Sequence, residues 1–240
     1  MMGWKKYALL FALLPAALGQ CQNVTVTGRI DLVDKAAASV ADKSNVVVWL
    51  TPVDDPQPPP ASLPVNQPHA QLLQKDKSFK PHVLVIPAGT VVSFPNRDPI
   101  FHNVFSLFEG KRFDLGLYEA GTTRAVRFDR PGVSYIFCNI HPEMSAVVVV
   151  MATPYYGTSD RRGEVSIANV PPGRYTLHVW HERSLPDVLK SLTREIIVSE
   201  SSASFGTLHV VEAANLYQPH KNKYGRDYDP PGPIDSTYNH

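Results

Sequence analysis

The stretch Tyr135–Val150, YIFCNIHPEMSAVVVV, constrains this chain more than any other, because it sets Cys138, His141 and Met144 in one short loop between two hydrophobic runs. The runs read as strands, since β-branched and aromatic residues dominate them. The loop joining them carries a thiol, an imidazole and a thioether, each separated from the next by two residues. Thiolate, imidazole and a weak axial thioether suit copper cycling between two oxidation states in a trigonal site, and such a site needs one more imidazole. His102, in Phe101-His102-Asn103-Val104-Phe105, is the candidate for it. Pro142 restricts the backbone of the histidine before it. A disulfide between Cys138 and Cys21, the only other cysteine, is the competing use of that sulfur.

The rest of the chain supports an exported globular protein. Lys5 and Lys6, the apolar run Tyr7–Leu18 and the small-x-small triplet Ala17-Leu18-Gly19 read as an export signal over residues 1–19, which leaves the fold. That run is too short to span a bilayer and no later one approaches the length needed, so no transmembrane span is expected. Cys21 raises the possibility of a lipid anchor, but Gln20 stands where a small residue would precede a lipidated cysteine. With 43% apolar and 19% charged residues in 240, a packed core is available, and a net charge of +1 gives no reason to expect nucleic acid as partner.

Strand patterning runs through the whole chain. Val24–Ile30 and Val46–Leu50 come first, then Asp54–Pro68, whose six prolines read as linker or surface crossover. Val83–Ile86 and Thr90–Phe94 are joined tightly through Pro87-Ala88-Gly89, after which Pro95–Pro99 breaks the sheet and delivers His102. Asp114–Tyr118, Arg124–Phe128 and Ser134–Phe137 continue the all-β pattern. Beyond Met151 come Glu164–Ile167, Thr176–Trp180, Ile196–Val198 and Thr207–Val211, with weak helical periodicity only over Leu185–Leu192. Residues 213–240 hold almost no aliphatic side chains, so a poorly ordered tail with solvated His220 and His240 is expected. His178 and His181 are three apart on a strand and so point to opposite faces, which argues against a second metal pair.

With these motifs in view, Gln74–Met151 resembles a cupredoxin, the blue-copper fold. Phe94-Pro95-Asn96 to His102-Asn103-Val104 is similar to the loop giving the first histidine. Cys138-Asn139-Ile140-His141-Pro142-Glu143-Met144 is similar to the ligand loop at the short spacing of amicyanin. The resemblance implies one type 1 copper ion with His102, Cys138 and His141 equatorial and Met144 as the long axial ligand. It also implies that Asn103 hydrogen-bonds across to the cysteine loop. A plain turn-forming asparagine is the other reading of that residue. The flanks, Val26–Ile30 and Val46–Leu50 with Asp160–Gly163, Val170–Leu177 and Ile196–Val198, are similar to the carboxypeptidase regulatory-like, transthyretin-type β-sandwich. The fold class expected is therefore all-β: a cupredoxin Greek-key β-sandwich over 66–152, inserted in a transthyretin-like sandwich made of 23–65 and 153–212. The arrangement resembles bacterial exported proteins of the methylamine-utilisation type.

Electron transport is the function this implies: a periplasmic blue copper protein exchanging single electrons with a redox protein such as a c-type cytochrome or dehydrogenase. Copper storage, delivery or sensing is the alternative, but two of the four methionines lie in the export signal and no Met-rich stretch remains. A copper enzyme would need a second centre, usually with His-x-His ligands, and that triplet is absent from the sequence. Phe101, Ile140, Pro142 and Ala146 form either a docking patch beside His141 or part of the core.

Overall fold

Ala146 to Met151 are buried without a break, which a strand sustains only when both of its faces are covered. Ala146, Val148 and Val150 enter one apolar core, while Val147, Val149 and Met151 enter another. The two-residue alternation of a strand thus divides one valine run between two layers. The computed structural model describes residues 22–34, 42–54, 70–107, 110–213 and 220–228. The expected export signal, Cys21, His240 and nearly all of the proline-rich segment lie outside them.

The first strands are β1 (Val24–Asp34), β2 (Val47–Pro52), β3 (Leu73–Gln74), β4 (Phe79–Lys80), β5 (Val83–Pro87) and β6 (Thr90–Pro95). Next come β7 (His102–Ser106), β8 (Phe113–Tyr118), β9 (Thr123–Phe128), β10 (Gly132–Cys138) and β11 (Ser145–Met151). The series ends with β12 (Tyr156–Thr158), β13 (Glu164–Val170), β14 (Gly173–Trp180), β15 (Arg194–Val198) and β16 (Ser204–Glu212). Helix α1 (Pro186–Ser191) begins with the proline that a first helical turn tolerates and buries Leu189. Among the described residues the fold is all-β apart from that turn and a half of helix.

A five-stranded sheet in the order β5-β11-β10-β7-β8 packs on the pair β6-β9 around Val92, Phe94, Val104, Phe128, Ile136 and Val148. The tight join between β5 and β6 is present, but the two strands lie in different sheets: β5 pairs with β11 and β6 with β9. The turn between them holds both layers, since the Ala88 amide donates to the Met151 carbonyl and the Gly89 amide to that of Phe128.

The flanking strands form a three-stranded sheet, β13-β1-β16, and a four-stranded sheet, β12-β2-β14-β15, enclosing Ile30, Leu50, Ile167, Leu177 and Leu208. The chain leaves this unit after β2 and returns on β12, and these two strands are antiparallel neighbours with Trp49 opposite Tyr156. The residues between them therefore leave and re-enter at one place. Val47, Trp49, Tyr156 and Trp180 pack on Val83, Val85, Val147 and Val149, joining the two units through an apolar layer. At its margin His82 Nε2 lies 2.6 Å from Glu182 Oε2.

Candidate metal centre

Register puts the first histidine over the cysteine. Strands β7 and β10 are antiparallel, with Phe105 opposite Phe137 and Val104 opposite Cys138. Directly opposed residues share a face, and so do residues two apart on one strand. His102 consequently lies on the face of Cys138, two residues beyond the point where β10 ends and the 139–144 loop begins. The loop closes on itself: the Met144 amide donates to the His141 carbonyl at 3.1 Å and the Cys138 amide to the Met144 carbonyl at 3.2 Å. The Asn139 amide donates to the Asn103 carbonyl at 3.1 Å, tying the loop to β7.

Three donor atoms converge as a result. His102 Nδ1 lies 3.1 Å from His141 Nδ1, and Cys138 Sγ lies 3.7 Å and 3.5 Å from those two nitrogens. A circle through the three atoms has a radius of about 2.0 Å, which matches a metal–nitrogen distance and falls a little under the roughly 2.3 Å of a metal–sulfur bond. Among the described residues this is the one His/Cys/Asp/Glu group with such convergence. His102 and Cys138 are fully buried and His141 is half-buried. Cys138 is a free cysteine.

Burial governs the protonation of these groups. It pushes the Cys138 thiol above its ordinary value, against backbone hydrogen bonds from Asn103, Ile140 and His141 that favour the thiolate. Burial, and then the charge of His102, depresses His141. Without a cation the site favours a neutral thiol and a neutral imidazole. A thiolate here calls for a positive ion among the ligands.

Asp98 is the residue that sequence reasoning missed. Its Oδ2 lies 2.8 Å from His102 Nε2 and accepts the Lys77 amide at 3.0 Å, and its Oδ1 accepts the Asp76 amide at 2.6 Å. Burial raises this carboxyl, but the hydrogen bonds from His102 and the two amides outweigh it and hold the group below the usual range. An ionised Asp98 accepts the Nε2 proton and so leaves the Nδ1 lone pair facing Cys138 and His141, which is how a carboxylate fixes the tautomer of a ligating histidine. Asp98 stands four positions before His102, but on a loop that spacing carries no geometric meaning. Asn96 makes the turn that presents it, with Oδ1 accepting the Asp98 amide and Nδ2 donating to the Ile100 carbonyl.

Other anticipated residues sit as follows. Met144 is fully buried in the same core as Cys138. Asn103 reaches the cysteine loop through its backbone, whereas its side-chain Nδ2 donates to Asp114 Oδ1 at 2.7 Å, because β8 runs beside β7 and brings that carboxylate into range. Pro142 is exposed, as are Phe101 at 52% and Ile140 at 44%, while Ala146 is core. His178 stacks on Trp49, and His181 is buried against Ser184, so they do not share a site.

Residues 220–228 lie against the cysteine strand, and His220 departs from the expectation of solvation. His220 is half-buried with its ring stacked 4.0 Å from that of Phe137, and the Tyr228 hydroxyl donates to the Cys138 carbonyl at 2.7 Å. Composition concealed this because the segment is held by rings and hydrogen bonds rather than by aliphatic burial.

No family model matches the chain, and no curated protein does. Solved copper proteins resemble part of it. A copper-containing nitrite reductase from Thermus scotoductus SA-01 is 26% identical over 36% of this chain, with a TM-score of 0.34, and the match spans 23% of the length of that enzyme. A purple cupredoxin from Nitrosopumilus maritimus is 28% identical over 34% of this chain and 99% of its own, with a TM-score of 0.31. An amicyanin variant in its Cu(I) form is 20% identical over 36% of this chain and 86% of its own, with a TM-score of 0.34.

Proposed function

We propose that this chain is an exported, periplasmic copper protein that carries single electrons, with one ion held by His102, Cys138 and His141 and by Met144 as a weak fourth ligand. The observation supporting this is the convergence of two imidazole nitrogens and one thiol sulfur within 3.1–3.7 Å of one another. Zinc favours four strong ligands in a tetrahedron, whereas two imidazoles, a thiolate and a long thioether suit copper. Copper bound there supplies a one-electron couple. The residues of the chain do the rest: Asp98 fixes the His102 tautomer, and the hydrogen-bonded loop and its buried surroundings limit rearrangement.

His141 is the half-exposed member of the set, so its edge is the route for a partner. Phe101, Ile140 and Leu117, the last 55% exposed and opposite Asn103, give that end of the sandwich an apolar surface. Such a surface fits a brief encounter with a cytochrome or dehydrogenase. Among the described residues no helix is long and apolar enough to cross a membrane. The flanking sandwich is proposed as a transthyretin-type scaffold carrying the copper unit.

Visible absorption of the purified protein on addition of Cu(II) tests the assignment. An intense blue band, lost in Cys138→Ser, is expected. A colourless Cu(II) complex, or a band that survives the substitution, overturns it.

A further inference from the structure

Residues 220–228 touch the segment that carries Cys138 and, through Asp114, connect to Asn103 beside His102, although they enter the fold some eighty residues after the ligand loop. Asn222 organises the segment: its Oδ1 accepts the Tyr224 and Arg226 amides at 2.9 Å and 3.1 Å, and its own amide donates to the Arg226 carbonyl. Gly225, at φ +73°, supplies the left-handed residue of that turn. From this turn three contacts reach the cysteine side. The His220 ring stacks on Phe137, the Lys223 amide donates to Asn139 Oδ1 at 2.9 Å, and the Tyr228 hydroxyl donates to the Cys138 carbonyl at 2.7 Å. One contact reaches the other side. Lys223 Nζ pairs at 2.8 Å with Asp114 Oδ2, and Asp114 Oδ1 accepts the side-chain amide of Asn103, the neighbour of His102.

The place of these contacts gives them their meaning. Cys138 is the last residue of β10, so its carbonyl lies where the ladder stops and the loop begins, and Tyr228 supplies it with a donor. His220 Nδ1 lies 3.1 Å from the Tyr228 oxygen, and the two rings meet edge to face, which fixes the phenol that makes the bond. The Lys223 pair is partly buried, with side-chain exposures of 20% and 35%, and is therefore screened less than an open surface pair.

We propose that residues 220–228 form a clasp on the metal centre, with Tyr228 as the residue positioning the Cys138 end of the ligand loop. This rests on the copper reading for its consequence, slower metal release, but the clasp itself is a property of the metal-free chain. Losing one hydrogen bond of this kind corresponds to about a fivefold change in the opening equilibrium of the loop.

The experiment uses the full chain, wild type and Tyr228→Phe, with Lys223→Met as a second variant. In the metal-free protein, amide hydrogen exchange over residues 138–144 is expected to quicken about fivefold in Tyr228→Phe, with the melting temperature lowered by no more than about 4 °C. Unchanged exchange in both variants overturns the clasp. In copper-loaded protein, transfer of the ion to excess chelator is expected to quicken by a similar factor and the visible band to shift. Equal release rates and spectra also overturn it. A wild type that takes up no copper while Tyr228→Phe still accelerates exchange refutes the copper reading alone and leaves the clasp standing.

Discussion

Replacing Asp98 by Asn isolates the contribution of a carboxylate that never touches the metal position. Asp98 receives three N–H groups, from His102, Asp76 and Lys77. An asparagine keeps one acceptor oxygen and gains a donor. With its oxygen on the Oδ2 side it serves His102 and Lys77, but its NH2 then opposes the Asp76 amide, donor against donor. With the groups exchanged, the NH2 donates to His102 Nε2, and the imidazole proton moves to Nδ1, the atom facing Cys138 Sγ at 3.7 Å. Neither orientation retains both the backbone turn and a free Nδ1 lone pair. Loss of such a partner lowers metal affinity by roughly 10- to 100-fold, or about 1.4–2.8 kcal/mol. The assay is competition for copper against a chelator of known affinity near neutral pH, on wild type, Asp98→Asn and Asp98→Ala. Asp98→Ala leaves His102 Nε2 without its carboxylate and is expected to lose affinity as well, with added loss of fold stability from two unsatisfied amides. An Asp98→Asn protein binding copper as tightly as wild type refutes the tautomer argument.

Three further outcomes follow from the geometry. His181 is 5% exposed, and burial, then the Arg183 charge, lowers it to about 4; the unfolded chain, at about 6.5, takes up a proton that the folded chain refuses, so stability falls as pH drops from about 6.5 toward 4. The loss amounts to about 3 kcal/mol, and denaturant titrations across that range should show a flatter profile for His181→Gln than for wild type. Gly163 sits at φ +83°, and a Cβ there would run into the Ile30 carbonyl oxygen; Gly163→Ala is expected to cost about 1–3 kcal/mol in denaturant unfolding, and an unchanged midpoint would mean that β1 yields freely. Met144→Leu conserves volume in a fully buried position and should cost less than about 1.5 kcal/mol while retaining copper and raising its potential in voltammetry; complete loss of metal would assign Met144 a stronger role than a weak fourth ligand.

The sequence by itself determined most of the strands, the loop and the types of donor side chain that the loop carries. Residues of the β-branched runs have one backbone preference and two alternating faces, so Val83–Ile86, Ser134–Phe137 and Val147–Val150 are legible without neighbours. Cys138, His141 and Met144 are legible as a group because local spacing places them in one loop. Tertiary structure alone decided what crosses between segments. Pairing of Val104 with Cys138 carries His102 over the sulfur, and pairing registers are set by whole-sheet packing rather than by any one strand. Asp98 and Tyr228 were invisible because each acts through hydrogen bonds that only the folded backbone sets up, Asp98 across a loop and Tyr228 from far along the chain, and a lone Asp in a turn or a Tyr in a polar tail carries no pattern. The split of one valine run between two cores belongs here as well, because an uninterrupted apolar strand records that both faces are covered but not what covers them.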